Sequence, residues 1–155
     1  MQPSLAEASI LVNSRSLSDL KPKVAAMCSE FINQCKAKGI DVIITSTYRD
    51  ADSQTALYNQ GRTTPGKIVT NAKAGQSYHN WRVAFDFCPI VNGKAAWDNK
   101  DLFATCGNIA EGIGLEWAGR WSGKLKESAH CQYTGGLTLH DFQNGKSIWN
   151  LFATY

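Results

Sequence analysis

Apolar residues recur every three or four positions between Leu20 and Lys38, and this spacing predicts an amphipathic helix that ends at Gly39. The apolar stripe is formed by Leu20, Val24, Met27, Phe31 and Cys35. The glycine is followed by IDVIITSTYR (40–49), whose β-branched run predicts a strand with Arg49 at its end. The first third of the chain therefore predicts a helix followed by a strand.

Two more helices and a second long strand are predicted further along. Acidic residues at the start and a glycine at the end mark a short helix from Ala51 to Gln60, and a second apolar stripe predicts a helix from Asn99 to Ile113. RVAFDFCPI (82–90) alternates as a strand does, and Pro89 is expected to end its hydrogen-bonded run. Three shorter segments complete the set: LEWAGRW (115–121), SAHCQY (128–133) and SIWNLF (147–152).

The segment between the short helix and the second long strand, GRTTPGKIVTNAKAGQ (61–76), is predicted to be a loop because it is rich in Gly, Pro, Thr and Asn. Loops of this length in a compact domain usually serve a site or are mobile. Helices alternate irregularly with few strands, which favours an α+β fold with a small, mostly antiparallel sheet and flanking helices. Residues 1–155 are expected to form a single domain, since no repeat or linker is visible.

Charge and cysteine content narrow the class of protein. The net charge of +3 is only mildly basic, and the cations are scattered apart from a small group, Arg120, Lys124 and Lys126, that is interpreted as a solvated loop. Nucleic acid is therefore not an expected partner. The 5 cysteines form no CxxC pair, which is typical of a reducing compartment. No export signal or membrane span is visible, so we expect a protein made in the cytoplasm. We also expect it to be a monomer.

Two of the three histidines lie near carboxylates in the sequence. If His79 lies on the turn that leads into the strand carrying Asp86, both side chains can point to one side of that strand. With His130 from a neighbouring strand, two imidazoles and one carboxylate would supply three ligands and leave a fourth position open, as in catalytic zinc sites. Spacing alone leaves open that both histidines are ordinary core or surface residues.

Glu127 lies on the turn just before His130 and could supply a base. A metal hydrolase needs a group that takes a proton from the attacking water and returns it to the leaving amine. A carboxylate beside a ligand histidine is suited to that task. If the histidines bind a metal, the metal and this base together would make a hydrolase.

Several motifs in order resemble one family of enzymes. SYHNWRVAFDF (77–87) resembles the S-x-H-x(6)-D signature of zinc peptidases that cut peptidoglycan stem peptides, namely D-alanyl-D-alanine dipeptidases and carboxypeptidases and, above all, the L-alanyl-D-glutamate peptidases of phage endolysins. Residues 45–80 resemble the order of Arg, Gln, Leu-Tyr and Gly-Arg-Thr in that endolysin group. GLEWAGRW (114–121) resembles the Gly-Leu-x-Trp segment of that group. ESAHCQ (127–132) resembles its C-terminal motif, an acidic residue followed by x-x-His-x-Gln.

The resemblance implies a role for each candidate residue and a fold like that of hedgehog and DD-peptidase domains. It implies that His79, Asp86 and His130 bind Zn²⁺ and that Glu127 is the general base. It also implies that Arg49 polarises the scissile carbonyl and stabilises the oxyanion, a task suited to a permanent cation.

Other residues keep alternative interpretations. Arg49 could instead form a surface ion pair with Asp50 or Asp52. Gln54 and Ser77 occupy recurrent family positions, so we expect them behind the ligands or beside the substrate, although Ser77 could equally cap a turn.

Aromatic and sulfur-containing residues near the motifs could pack in the core or line the cleft. Tyr78, Trp81 and Trp117 are more often core residues in such positions. Cys88 and Cys131 are interpreted as core residues, although a thiolate is a good zinc ligand. His140 matches no ligand position and is interpreted as a surface or packing residue.

Three positions depart from the family pattern. Arg82 and Ala118 stand where glycine is common, and Glu127 stands where the endolysin group often has aspartate. Arg82 could change the turn after His79 or place a cation near the cleft. Either Arg82 or the residues from 120 to 126 are therefore candidates to bind a stem carboxylate.

The resemblance implies a zinc-dependent peptidoglycan endopeptidase that cleaves the stem peptide, at the bond between L-alanine and D-glutamate, as an endolysin that lyses the cell wall. Such an enzyme would wait in the host cytoplasm until a holin releases it to the wall, and no separate wall-binding domain is expected. Two alternatives remain: a D-alanyl-D-alanine carboxypeptidase or dipeptidase, and a non-catalytic, zinc-stabilised wall-binding module.

Overall fold

The computed structural model describes residues 11–148, which form one antiparallel sheet with helices packed around it. The elements in chain order are α1 (Pro22–Ala37), β1 (Asp41–Ser46), α2 (Ala51–Asn59), β2 (Ala84–Val91), β3 (Lys94–Ala95), α3 (Lys100–Ile113), β4 (Glu116–Trp117), β5 (His130–Gln132) and α4 (Leu139–Gln143). The strand order is β1-β2-β5-β4, and β3 pairs with β2. The predicted α+β class with a small antiparallel sheet is confirmed.

The predicted helices begin and end close to the expected residues. Helix α2 starts because the Asp50 side chain accepts a hydrogen bond from the Ser53 amide at 2.8 Å, and α3 starts with Asn99 capping Leu102 in the same way at 3.1 Å. Residues 61–76 contain no helix or named strand, as predicted. Most of the segment SIWNLF (147–152) lies outside the described residues. No helix within residues 11–148 is long and apolar enough to cross a membrane.

The prediction that Pro89 ends the hydrogen-bonded run of its strand is wrong. Strand β2 continues to Val91, and Pro89 lies opposite Val42 of β1. The Pro89 carbonyl also accepts a hydrogen bond from the Ala96 amide at 2.9 Å. The strand then turns back into β3, which the sequence interpretation missed. The signal was the Asn92-Gly93 pair, whose φ values of 52° and 77° are those of a tight hairpin turn.

The hydrophobic core lies between the sheet and helices α1 and α3. Phe31 of α1 packs against Phe87 and Phe85 of β2, with ring centroids 4.9 and 5.7 Å apart. Phe103 of α3 also packs against Phe87, with ring centroids 5.4 Å apart. All five cysteines are buried free thiols within this core, so Cys88 and Cys131 are core residues, as interpreted from the sequence.

The register of the central strands fixes where the polar side chains lie. Asp86 of β2 lies opposite Ser46 of β1 on one side and opposite His130 of β5 on the other. The β1–β2 register shifts between Ile44 and Ser46, and such irregularities re-aim a strand end next to functional sites. The sheet thereby places the Asp86 carboxylate next to the His130 imidazole.

Candidate active site

Three side chains from separate segments converge at the end of β2. Asp86 Oδ1 lies 3.2 Å from His79 Nε2 and 3.2 Å from His130 Nδ1. One ligand atom from each residue lies within 4.8 Å of the other two. Both imidazoles are buried, whereas the Asp86 side chain keeps 16% of its surface exposed and so faces the open cleft. Among the described residues, this group alone brings three potential metal ligands together.

His79 is positioned by a capped turn. It lies in the 3₁₀ turn Tyr78–Trp81, where the Ser77 hydroxyl accepts a hydrogen bond from the His79 amide at 3.2 Å. Ser77 therefore caps this turn, which was one of its two interpretations. The Asn80 side chain donates to the Arg49 carbonyl at 2.9 Å, and the Arg49 amide donates to the His79 carbonyl at 3.2 Å. The turn is thus fastened to the end of β1.

A second contact of each imidazole decides which ring nitrogen faces Asp86. His79 Nδ1 lies 2.8 Å from the Thr47 carbonyl, which can only accept, so His79 carries its proton on Nδ1. His130 Nε2 lies 2.8 Å from Gln132 Oε1, so His130 carries its proton on Nε2. Both remaining ring nitrogens then present lone pairs toward a carboxylate oxygen.

Two such lone pairs and a carboxylate oxygen would repel one another without a proton or a metal cation among them. Two neutral imidazoles, one carboxylate and a side open to the cleft match the ligand types and ligand number of a catalytic zinc site. The hydrogen bonds to the far side of each ring are those that orient metal-binding histidines elsewhere. The residues present therefore fit a divalent metal ion.

The electrostatics of the group show how strongly its members interact. Burial alone would raise the pKa of the Asp86 carboxyl, but the imidazoles of His79 and His130 hold it well below its ordinary value. Burial alone would lower the pKa of His130, and the hydrogen bond and charge of Asp86, followed by the charge of Glu127, raise it instead. Asp86 therefore stays ionised.

The group opens into a cleft of about 1220 Å³ that also contains Glu127 and Arg49. Glu127 is exposed, and its amide donates to the Ala118 carbonyl at 3.1 Å while its carbonyl accepts from the His130 amide at 3.3 Å. These backbone contacts leave the carboxylate free to reach into the cleft. The structure thus brings all five sequence-predicted site residues to one surface.

Arg49 does not form the surface ion pair that was its alternative. Its Nη1 donates to Gln54 Oε1 at 3.0 Å, and its Nη2 donates to Ser46 Oγ at 3.4 Å. Burial lowers the pKa of Arg49, and the negative charges of Asp86 and Glu127 oppose that change. The guanidinium is therefore a partly buried cation within the field of the two carboxylates that lie in the cleft.

Arg82 does not provide a cation near the cleft. Its backbone is left-handed, with φ 64° and ψ 27°, a conformation that glycine adopts more readily than arginine. The side chain turns away from the cleft: Nη1 donates to the Asp19 carbonyl at 2.9 Å, and the guanidinium lies 3.7 Å from the centroid of the Tyr48 ring. The hypothesis that Arg82 binds a stem carboxylate is therefore not supported.

Of the basic residues from 120 to 126, Arg120 is engaged outside the cleft and Lys124 lines it. Arg120 donates to the Glu111 carboxylate at 3.0 Å and to Asn108 Oδ1 at 2.7 Å, away from the cleft. Lys124 lines the cleft beside Leu125, whose side chain is 73% exposed. The part of the cleft wall formed by the segment 61–76 presents Val69, which is 57% exposed. The two rims of the cleft are thus exposed and partly apolar.

The aromatic residues named from the sequence separate into core and cleft. Tyr78 lines the cleft, whereas Trp81 stacks on Phe142 with centroids 6.1 Å apart. Trp117 is buried, and its Nε1 donates to the Ser128 carbonyl at 2.8 Å, one residue after Glu127. His140 is exposed and contacts only Asn144 among the described hydrogen bonds, in line with its surface interpretation.

Two cleft residues were missed by the sequence interpretation. Trp121 lines the cleft, and its ring centroid lies 5.8 Å from that of His130. Gln132 fixes the proton of His130, and its place two residues along the same strand was the available signal, because such neighbours share a face. The Thr47 carbonyl, which fixes the proton of His79, is a backbone atom and gave no sequence signal.

Comparison with known proteins places these features in a family. A family model described as VanY, D-alanyl-D-alanine carboxypeptidase, matches residues 17–136. The peptidoglycan L-alanyl-D-glutamate endopeptidase CwlK of Bacillus subtilis (strain 168) is 37% identical over 124 residues, which cover 74% of this chain and 74% of that protein.

Two further proteins are similar at greater distance. The L-alanyl-D-glutamate peptidase of Listeria phage A118 is 27% identical over 146 residues, which cover 88% of this chain and 47% of the phage protein. This chain thus spans about half the length of that relative. A crystal structure of the vancomycin resistance D,D-pentapeptidase VanY in complex with Zn(II) matches with a TM-score of 0.57 at 14% identity, covering 81% of this chain and 84% of the other. That structural match shows a shared fold.

Proposed function

The chain belongs to the VanY D-alanyl-D-alanine carboxypeptidase family, and from that premise we propose that it is a zinc-dependent endopeptidase that cleaves the L-alanyl-D-glutamate bond of peptidoglycan stem peptides. Two relatives bear the name of that activity, one from a bacterium and one from a phage.

One observation carries the proposal. His79 Nε2, Asp86 Oδ1 and His130 Nδ1 lie within 4.8 Å of one another, and Glu127 and Arg49 line the same cleft. A metal site with an adjacent base and a fixed cation has the parts that amide hydrolysis requires. A wall-binding module without catalysis would not need Glu127 and Arg49 in such an arrangement.

His79, Asp86 and His130 would hold the metal ion. When bound there, zinc would lower the pKa of a water molecule and polarise the scissile carbonyl. Glu127 would take the proton from the attacking water and deliver it to the leaving amine. Arg49 would hold the developing negative charge on the carbonyl oxygen with a cation whose orientation is already fixed.

The cleft supports an anionic peptide as substrate. Its walls combine exposed apolar side chains at Val69 and Leu125 with the ammonium group of Lys124. Arg82 and Arg120 are engaged elsewhere and Lys126 does not line the cleft, so Lys124 is the basic residue of this region that we propose to meet a stem carboxylate. Charge reversal by Lys124→Glu should raise KM for muropeptides, and an unchanged KM would refute this assignment.

The scissile bond is tested by product analysis. Purified peptidoglycan is digested with the protein, and the soluble products are separated and identified by mass spectrometry. The proposed activity yields a new amino terminus on D-glutamate and leaves D-alanine attached to the stem. Release of free D-alanine or of its dipeptide would instead establish the carboxypeptidase or dipeptidase activity of the wider family. Binding to the wall without any product would establish the binding module.

The biological setting is part of the proposal. A phage relative that bears this activity name supports a role in host lysis, with the enzyme made in the host cytoplasm and released to the wall by a holin. We propose that it acts as a monomer, because all five predicted site residues line one cleft of a single chain.

A further inference from the structure

Gln54 is a completely buried amide that uses both ends of its side chain. Its Oε1 accepts a hydrogen bond from Arg49 Nη1 at 3.0 Å, and its Nε2 donates to the Ala72 carbonyl at 2.8 Å. The side chain has no exposed surface. An amide that is buried in this way and satisfied at both ends has one orientation, because rotation would place like groups against each other.

The backbone that carries Gln54 is itself fixed. The residue lies in the first turns of α2, and its amide donates to the Asp50 carbonyl at 3.0 Å. Asp50 caps this helix and also exchanges two hydrogen bonds with Val12, from the Val12 amide to the carboxylate at 3.0 Å and from the Asp50 amide to the Val12 carbonyl at 2.9 Å. The helix start is therefore anchored at several points.

Arg49 depends on Gln54 for its orientation. The guanidinium has one other side-chain contact, the long bond to Ser46 Oγ at 3.4 Å. Its Nε is buried and has no hydrogen-bond partner among the described residues. The hydrogen bond to Gln54 is thus the shortest side-chain contact that orients the Arg49 guanidinium. In the proposed reaction this guanidinium must point at the scissile carbonyl.

The other end of Gln54 holds the cleft wall. Ala72 belongs to the segment 61–76, which lines the cleft with Val69, Thr70 and Asn71. Through Gln54, the distance between this wall and the Arg49 guanidinium is set by two hydrogen bonds and one rigid amide. A peptide that lies against the wall therefore meets the cation in a defined position.

We propose that Gln54 is a positioning residue for the reaction: it holds the Arg49 guanidinium toward the scissile carbonyl and fixes it relative to the cleft wall at Ala72. This inference rests on the proposed function, since it assumes that Arg49 stabilises the oxyanion.

The chain offers a matched control in Gln60. Its Nε2 also donates to a carbonyl of the same segment, that of Lys67 at 3.0 Å. Gln60 does not contact Arg49 and does not line the cleft. A change at Gln60 therefore loosens the segment without touching the cation.

The experiment measures kcat, KM, bound zinc and Tm on a purified muropeptide for Arg49→Ala, Gln54→Met, Gln60→Met and the double variant Arg49→Ala/Gln54→Met. Loss of a fixed donor in the transition state lowers kcat by about 10²–10³ for Arg49→Ala. Misplacement of the same group lowers kcat by roughly tenfold to a hundredfold for Gln54→Met, with zinc content unchanged. Gln60→Met keeps the wild-type kcat. Because Gln54 acts through Arg49, the double variant is no slower than Arg49→Ala alone.

Each alternative outcome has its own meaning. A Gln54→Met enzyme with wild-type kcat, or a double variant in which the two losses multiply, overturns the positioning role. Full activity of Arg49→Ala overturns the proposed role of the cation instead, so the two failures are distinguishable. If Gln54→Met does not fold, Gln54→Ala leaves room for water at both hydrogen-bonding ends and is measured against the same criteria.

Discussion

Asp86 and His130 lie directly opposite each other in the antiparallel pair of β2 and β5, with Asp86 Oδ1 3.2 Å from His130 Nδ1. The two residues are 44 positions apart in the chain, so only the register of the sheet brings them together. A slip of one residue would turn the carboxylate toward the core face occupied by Phe85 and Phe87. The candidate metal group is therefore a product of strand register.

The first prediction concerns the metal. The purified protein should bind one zinc ion per chain, and His79→Ala or His130→Ala should abolish tight binding because each removes one of three ligands. Metal content is measured by atomic spectroscopy after dialysis. His140→Ala is the matched control, since this histidine is exposed and lies outside the group. A His130→Ala protein with full zinc content would rule out the assignment.

Metal removal should also lower thermal stability. A ligand at one hundred times its Kd stabilises the folded state by about 2.7 kcal/mol, so chelation should reduce Tm, and added zinc should restore it. Differential scanning fluorimetry of the wild-type protein measures both steps. The His130→Ala variant should show no response to chelator, and a response equal to that of the wild type would place the metal elsewhere.

Glu127→Gln should abolish most of the activity without affecting the fold or the metal. The carboxylate is exposed, and the backbone of Glu127 makes its described hydrogen bonds, so the amide should be tolerated. Loss of a general base lowers kcat by about 10²–10⁴. The control is Glu30→Gln, an exposed carboxylate on α1. Wild-type turnover of Glu127→Gln with zinc bound would refute the role of the base.

Arg82 should matter for stability and not for substrate binding. Its φ of 64° favours glycine, so Arg82→Gly should be more stable than Arg82→Ala by about 1 kcal/mol, because both variants lose the contacts to Asp19 and Tyr48 and only alanine keeps the backbone strain. Urea denaturation measures the difference. Both variants should keep the wild-type KM for muropeptides, and a raised KM would restore Arg82 as a substrate-binding residue.

Two glycines of α3 should respond to alanine with opposite sign. A methyl group at Gly107 would overlap the Trp117 ring, whereas one at Gly112 would meet open space. Gly107→Ala should therefore destabilise the protein by about 1–3 kcal/mol, and Gly112→Ala should stabilise it by about 0.5–1 kcal/mol through helix propensity. Chemical denaturation of both variants tests this, and an equal effect of the two substitutions would contradict the packing.

Much of the fold follows from local patterns. The stripe from Leu20 to Lys38 and the β-branched run after Gly39 predicted α1 and β1, because burial of one helix face and of a pleated strand leaves a periodic trace. The strand ending beyond Pro89 was not predicted, since a proline without an amide hydrogen can still lie opposite Val42 and accept through its carbonyl. Local propensity does not contain that tertiary fact.

The sequence by itself predicted which residues would carry the chemistry. Two histidines, Asp86, Glu127 and Arg49 were identified by residue type and motif order, because metal binding, proton transfer and charge stabilisation each require particular functional groups. The tertiary structure decided their orientation. The Thr47 carbonyl and Gln132 fix the protons of the imidazoles, and Arg82 turns toward Asp19 and away from the cleft. The contacts of the Thr47 carbonyl and of Arg82 join segments distant in the chain, so their geometry depends on how the chain folds and not on the local order of residues.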